Sequence, residues 1–138
     1  MKNIMIFAIF FCFLSGCQFI PLFSPIVTGI IIWKDGQAHK YYNMNSDIMF
    51  RTVKSSLKDL DFTIKKSYKK NSTHYLQAEN YDKMYIEIST VRKNITQVSI
   101  RINTFGNKSY TELFYHKIDE NLDVINYDSL GSPVKYLN

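Results

Sequence analysis

Strict alternation of apolar and polar side chains between residues 84 and 102 is the feature that most constrains the fold of this chain. The apolar positions are Met84, Ile86 and Ile88 in a first run, then Val98, Ile100 and Ile102 in a second. A period of two on both sides of a short polar link predicts neighbouring antiparallel strands. Because the intervening positions are polar, we expect one face of the sheet to be buried and the other to face solvent.

An amphipathic helix is predicted before these strands. Apolar residues recur at spacings of three and four from Met49 to Leu60, which is the period of a helix with one buried stripe. Asn45 and Ser46 offer side-chain oxygens that can cap its first turn. The pattern weakens near residues 59–61, where we expect the helix to end.

A second helix is predicted after the strands. Ser109 can cap it, and Glu112 stands three residues later, as in a capping box. Apolar residues keep a helical spacing as far as Leu122. Residues 123–138 have little periodicity, and we expect a loosely held tail there.

The remaining alternating segments are predicted strands, at residues 37–44, 62–68 and 74–80. The element order is then β-α-β-β-β-β-α. Short links between consecutive strands favour an antiparallel meander of four or five strands. With one face of the sheet covered by two helices, the predicted fold is a two-layer α+β sandwich that occupies residues 33–122.

The amino terminus has the composition of an export signal. Lys2 precedes a largely apolar, uncharged run over residues 4–14, which is 11 residues long. A helix needs about 20 apolar residues to span a bilayer, so this run is too short. It fits the apolar region of a secretory signal that has Lys2 as its positive region.

Residues 14–17 read L-S-G-C and match each position of the lipobox, so the segment resembles a bacterial lipoprotein signal. The resemblance implies a signal peptide over residues 1–16, cleavage before Cys17, and lipidation of the Cys17 sulfur. Residues 17–32 would then form a lipidated tether. The acyl chains would bind the protein to a membrane, since each buried methylene contributes about 0.8 kcal/mol.

Two other interpretations of this segment stay open. An uncleaved anchor would use the uncharged stretch that continues to Trp33, although Pro21 and Pro25 would disturb its helix. An ordinary signal peptide would end in an A-x-A-like site, which the sequence lacks. In Gram-negative lipoproteins, a residue such as Gln18 after the cysteine implies export to the outer membrane. We therefore expect an envelope protein that faces the periplasm or the cell surface.

Residues 57–62 read L-K-D-L-D-F and residues 98–107 read V-S-I-R-I-N-T-F-G-N. With the lipobox and a basic first strand, these stretches resemble a family of small Gram-negative lipoproteins whose domain has no known function. The resemblance covers about residues 17–122, and Gly36 is a looser match. Some members are virulence-associated surface lipoproteins. The resemblance implies a location and a fold, and it carries no catalytic residues to this sequence.

The sequence contains no local catalytic or metal-binding motif. His39, His74 and His116 are far apart and lack metal-ligand spacing, although His39 and His74 could meet across strands. Phosphate-binding loops, dinucleotide fingerprints and nucleophile elbows are missing. We therefore predict a non-enzymatic protein without a metal or cofactor. A catalytic triad assembled in space is not addressed by such motifs.

The densest positive charge lies at Lys65, Lys66, Lys69 and Lys70, near a predicted strand end, in a chain of formal charge +5. Lysines there can simply protect a sheet edge from aggregation. Alternatively, they can contact anionic lipid head groups or lipopolysaccharide phosphates, each contributing about 1 kcal/mol. Nucleic acid is a poor partner for an exported protein.

Two functions are compatible with these features. The first is an envelope module that binds another protein through an aromatic surface. The contributing tyrosines would be Tyr41, Tyr42, Tyr75, Tyr81 and Tyr85, which could equally pack at the edge of the core. The second is a carrier that holds a small apolar ligand or lipid in a pocket between the sheet and the helices. The sequence does not indicate an oligomeric state.

Overall fold

The computed structural model describes residues 29–129, with side chains as far as residue 124. Cys17 and the predicted signal peptide therefore lie outside the described residues. The strands are β1 (Ile31–Lys34), β2 (Gln37–Tyr42), β3 (Thr63–Lys70), β4 (Thr73–Glu79), β5 (Lys83–Arg92) and β6 (Ile95–Ile102). The helices are α1 (Ser46–Asp59) and α2 (Lys108–Ser129).

All six strands form one antiparallel sheet in the order β1-β2-β6-β5-β4-β3. Strands β3 to β6 follow one another as a meander, and β6 then returns to the side of β2. Helix α1 carries the chain from β2 to β3 at the far edge of the sheet. This strand order pairs residues that are about sixty positions apart in the sequence; for example, Ala38 pairs with Ile100.

The alternation seen in the sequence decides which face of the sheet is buried. The six alternating apolar positions of β5 and β6 are each at most 1% exposed: Met84, Ile86, Ile88, Val98, Ile100 and Ile102. Both helices cover this face: Met49, Val53 and Leu57 of α1 and Phe114 and Ile118 of α2 belong to the same core cluster. Removal of this apolar area from water is the main term that stabilises the domain.

The α+β fold is confirmed, but the predicted number of four or five strands is wrong, because the sheet has six. The missed strand is β1, whose first residues fall inside the predicted tether. Its Ile31 and Trp33 pack against the core, while Ile30 and Ile32 are about half exposed. A four-residue edge strand inside a long apolar stretch has no alternation in polarity from which to recognise it.

Helix α1 begins as predicted, whereas α2 differs at both ends. The Asn45 side chain accepts hydrogen bonds from the backbone N–H groups of Asp47 and Ile48. At α2 the cap is Asn107, whose Oδ1 accepts from the Tyr110 N–H at 3.1 Å, so the predicted Ser109 cap is wrong. The helix also continues beyond Leu122, through the first part of the predicted tail, to residue 129.

Two glycines from motifs far apart in the sequence meet at one end of the sheet. Gly36 lies in the β1–β2 turn with φ 73°, and Gly106 lies in the β6–α2 connection with φ 79°. A Cβ at Gly106 would lie 2.8 Å from the Gly36 carbonyl oxygen, whereas a Cβ at Gly36 would approach the Phe105 oxygen at 3.5 Å. The backbone of the β1–β2 turn therefore contacts the backbone of the T-F-G-N stretch directly.

We predict that Gly106→Ala destabilises the domain more than Gly36→Ala. Both variants place alanine in the left-handed region, which costs about 1–2 kcal/mol. Gly106→Ala also drives a methyl group into backbone that has no side chain to rotate away, for a total of about 3 kcal/mol. Chemical denaturation of the two variants measures the difference, and equal losses would contradict the proposed close contact.

Candidate functional site

One face of the sheet is not covered by the helices, and we call it the open face. Its side chains alternate with the buried ones along the four central strands. They are His39 and Tyr41 of β2, Tyr75 and Gln77 of β4, Tyr85 and Glu87 of β5, and Gln97, Ser99 and Arg101 of β6. A face that combines aromatic, basic and amide groups has the composition of a binding surface.

Aromatic and cationic groups line a groove of about 310 Å³ on the open face. Tyr68 and Tyr75 stack there, with ring centroids 5.0 Å apart and planes inclined by 15°. The Arg101 guanidinium lies 5.2 Å from the centre of the Tyr85 ring. The Arg101 Nε is shielded from solvent and has no hydrogen-bond partner among the described residues. Because Arg101 lines the groove, its guanidinium can donate to an acceptor on a bound molecule.

A polar cluster lies beside that groove. The His39 Nδ1 is 2.8 Å from the Ser99 Oγ and 3.0 Å from the Gln97 Nε2. An amide nitrogen can only donate, so Nδ1 accepts and the ring proton resides on Nε2. Burial lowers the pKa of His39 below its ordinary 6.5, and Lys34 acts in the same direction against the opposing charge of Glu87. The imidazole is therefore neutral at neutral pH.

The contact between Ser99 and His39 joins a hydroxyl to a base but lacks other features of a nucleophile. Ser99 is 7% exposed, and the nitrogen that would take its proton already accepts from Gln97. An activated serine needs an accessible oxygen and a free base. These groups are better explained as a hydrogen-bond network that fixes the pairing of β2 with β6.

The structure separates the four lysines singled out in the sequence. Lys66 pairs with Gln77 and so lies towards the open face, whereas Lys69 pairs with His74 and lies towards the helices. Lys65 falls at a register irregularity, and Lys70 ends the strand. All four are exposed. They share an edge strand without forming one continuous patch.

The three histidines do not converge. His39 is on the open face, whereas His74 is on the helix side, stacked on Phe50 at a centroid distance of 4.4 Å. His116 is an exposed residue of α2, 3.4 Å from Glu120. Within residues 29–129, no group of three or more histidine, cysteine or acidic side chains is placed to hold a metal ion.

The five tyrosines considered as an aromatic surface also separate. Tyr41, Tyr75 and Tyr85 lie on the open face. Tyr42 is buried in the core, and Tyr81 is fully exposed in the β4–β5 turn at the end of the sheet. The aromatic surface is therefore built from three of these tyrosines together with Tyr68.

An ion pair that the sequence did not predict links α2 to β2, between a buried lysine and a half-exposed aspartate. Lys40 is 6% exposed, and its Nζ is 2.5 Å from the Asp119 carboxylate. The ammonium also lies 5.1 Å from the centre of the Tyr42 ring. Burial raises the pKa of Tyr42 well above its usual value, and the charge of Asp119 adds to that effect. Lys40 alternates with Ala38 and Tyr42, whose side chains both face the core. This alternation was the sequence feature that could have identified Lys40 as buried.

A family model described as "Protein of unknown function (DUF3568)" matches residues 1–121. The chain belongs to this family. The match spans all six strands and more than half of α2, which includes the open face and the Lys40–Asp119 pair. It confirms the resemblance to a family without a known function, whereas the lipoprotein status inferred from residues 14–17 stays a prediction.

No curated protein matches the chain. Neither helix of the part described, residues 29–129, has the length and apolar character needed to cross a membrane.

We predict that the two members of the Lys40–Asp119 pair respond differently to replacement. Asp119→Ala leaves a buried ammonium without a counterion, and we expect it to cost about 2 kcal/mol or more. Lys40→Met leaves a carboxylate that is 44% exposed and can be hydrated, so its cost should be smaller. Urea denaturation of both variants measures the two losses, and the reverse order would contradict this account.

We also predict that His39 makes the stability depend on pH. Its folded pKa is lowered from 6.5, so between the two pKa values the unfolded chain binds more protons and stability rises with pH. The domain should therefore lose stability as the pH falls below about 6.5, while His39→Gln should reduce that slope. Urea midpoints across this range provide the measurement, and an unchanged slope in the variant would contradict the assignment.

Proposed function

We propose that this protein is a lipid-anchored, non-catalytic binding module of the bacterial envelope. Cys17 is the anchor, at the outer membrane, and the open face of the sheet receives a protein partner. The observation that carries the proposal is the open face itself. It presents three tyrosines and Arg101 where the opposite face is fully packed.

The chemistry of the open face suits protein recognition. Tyrosine and arginine are enriched at interface hot spots because they combine a large contact area with directional polar groups. The stacked Tyr68 and Tyr75 rings are rigid and lose little side-chain entropy on binding. Arg101 lines the groove beside them, and its guanidinium favours a partner that inserts a carbonyl or carboxylate oxygen into the groove.

The alternative function is a carrier of a small apolar ligand between the sheet and the helices. The space between those layers is filled by side chains such as Leu57, Ile86 and Phe114, each at most 1% exposed. A groove of about 370 Å³ that borders both layers is lined in part by Lys40, Asp119 and Asp123, and one of about 410 Å³ beside Leu113 is lined in part by Asp82. Charged walls are unfavourable for an apolar ligand, so the packing supports the binding module over the carrier.

Lipidation of Cys17 can be tested by the intact mass of the protein from bacterial membranes. We expect a mass that lacks residues 1–16 and carries acyl chains. Cys17→Ser should abolish the added mass and release the protein from the membrane fraction, and Cys12→Ser serves as the matched control that should change neither. A wild-type mass that retains residues 1–16 would contradict the anchor.

Binding at the open face can be tested by site-specific photo-crosslinking in living cells. We predict that a photoreactive residue at Gln77, in the groove, gives a discrete crosslinked product. The same residue at Tyr81, which is fully exposed at the end of the sheet, is the control and should not give that product.

A second substitution makes the test specific for the groove chemistry. Arg101→Gln should weaken the Gln77 product at least about tenfold, since truncating a hot-spot residue costs about 2 kcal/mol or more. Circular dichroism of Arg101→Gln checks that the domain is folded. Equal products at Gln77 and Tyr81, or no effect of Arg101→Gln, would count against the open face as the binding surface.

A further inference from the structure

The turns at the two ends of the sheet differ in charge. One end, here called the Gly29 end, is where the described chain enters. Gly29 donates to the Tyr41 carbonyl oxygen at 3.1 Å. The strand register brings two hairpin turns to the same end, at residues 71–72 and 93–94, because Tyr42 pairs with Thr96 and Ser89 pairs with Thr73.

The turns at the Gly29 end are basic. Lys69 and Lys70 close the β3 side of the first turn, and Lys93 lies in the second. Lys69 has an exposed contact with Asp47 at 3.7 Å. Neither Lys70 nor Lys93 takes part in an ion pair among the described residues. Both side chains are exposed, so both ammonium groups can contact a surface at this end.

The turns at the opposite end have mixed charge. Asp35, Asp61 and Asp82 lie there, but Lys34 precedes Asp35 and Lys83 follows Asp82, and the adjoining helix ends carry Lys58 and Lys108. The strands that separate the two ends are long enough to isolate these charges. Seven residues of β4 span about 23 Å at 3.3 Å per residue, against a Debye length of about 8–10 Å.

Carboxylates of α2 also occur towards the Gly29 end, but on the other side of the domain. Glu120 and Asp123 border a groove beside Ile31 and Lys40, which belong to the β1–β2 side of the sheet. The basic turns belong to the β3–β4 and β5–β6 hairpins. An anionic surface would therefore favour contact through the two hairpins and disfavour contact through α2.

We infer that the Gly29 end docks on anionic glycerophospholipid head groups, with Lys70 and Lys93, supported by Lys69, as the contacts. This inference rests on the proposed lipidation of Cys17, because the acyl chains hold the domain at the surface. The 12 residue steps from Cys17 to Gly29 reach at most about 43 Å when extended. The anchor alone therefore permits several orientations, and the charges select one of them.

The docking geometry assigns different roles to the four lysines of β3. Lys66 is five positions from Asn71 in the turn, or about 17 Å along the strand. That separation is close to two Debye lengths, so Lys65 and Lys66 contribute little to docking at the Gly29 end. The pairs Lys70/Lys93 and Lys65/Lys66 thus provide matched charge changes at different distances from the lipid.

The test uses the mature lipoprotein, purified from membranes and reconstituted in vesicles of phosphatidylcholine with or without phosphatidylglycerol. A single introduced cysteine carries a fluorophore that nitroxide-labelled head groups quench. Val91→Cys places it near the Gly29 end, at an exposed residue left unpaired in the register. Tyr81→Cys places it at the opposite end. Intact mass first shows whether Cys17 is lipidated, which tests the anchor separately from the docking.

We expect stronger quenching at Val91 than at Tyr81 in vesicles that contain phosphatidylglycerol, and a smaller difference without it or at high salt. Lys70→Glu with Lys93→Glu should lower the ratio of docked to undocked domain by about twenty-fivefold or more, at about fivefold for each lysine. Lys65→Glu with Lys66→Glu changes the net charge equally and should have little effect. Circular dichroism checks that both double variants are folded.

Three results would overturn the docking while leaving the anchor intact. They are equal quenching at the two probe positions, stronger quenching at Tyr81, and the same loss in both double variants. A Cys17 that carries no lipid would instead refute the proposed anchoring and, with it, the docking that rests on it.

Discussion

The pairing of β2 with β6 is the interaction on which the rest of the structure depends. It closes a loop of more than fifty residues, since Tyr42 lies opposite Thr96, and all the elements of the meander except β6 lie inside that loop. The Tyr115 hydroxyl of α2 reaches the carbonyl oxygens of Ala38 and Val98, at 2.7 and 2.8 Å, from beneath these two strands. On the opposite face, His39 bonds with Ser99 and Gln97. Polar contacts on both faces of the sheet thus stabilise the pairing of β2 with β6.

This strand pair also explains where the chemistry of the domain is located. Lys40 of β2 meets Asp119 of α2 under the sheet, while Arg101 of β6 meets Tyr85 of β5 above it. Because side chains alternate along a strand, neighbouring residues of one strand serve the two faces separately. Side chains on the open face can therefore differ in chemistry without disturbing the packing of the core. A binding module requires this arrangement.

The local pattern of the sequence was sufficient to predict the fold class and which residues lie on the buried face of the sheet. Alternation from Met84 to Ile102 and the helical spacing from Met49 depend on local periodicity, and the structure confirms both. Edge strand β1 was missed because Ile31 and Ile32 lie on opposite faces of the strand and are both apolar, so polarity does not alternate there. The α2 cap was assigned to Ser109 because that residue fits the capping box. In the structure Asn107 is the cap, because its side chain accepts a hydrogen bond from the Tyr110 N–H. Local patterns do not rank two competing caps.

The candidate site was less predictable, because it is made by pairings between distant segments. The sequence offered Tyr75 and Tyr85 among ten tyrosines without indicating which share a face. It also presented four lysines as one cluster, although alternation along β3 and the length of the strand divide them. Lys40 would be recognised as buried only once Ala38 and Tyr42 are known to point inward. These assignments require the register, which is set by tertiary contacts.

The two proposed surfaces are compatible because they occupy different directions on one sheet. The strands run from the basic turns at the Gly29 end to the turns of mixed charge at the other end, so the strands of a domain that rests on its Gly29 end point away from the lipid. The open face then lies at the side of the domain, where Arg101 and the stacked Tyr68 and Tyr75 remain accessible. A partner would approach along the membrane rather than from above it. The anchor would restrict that search to the membrane surface and raise the effective concentration of any partner held at the same membrane.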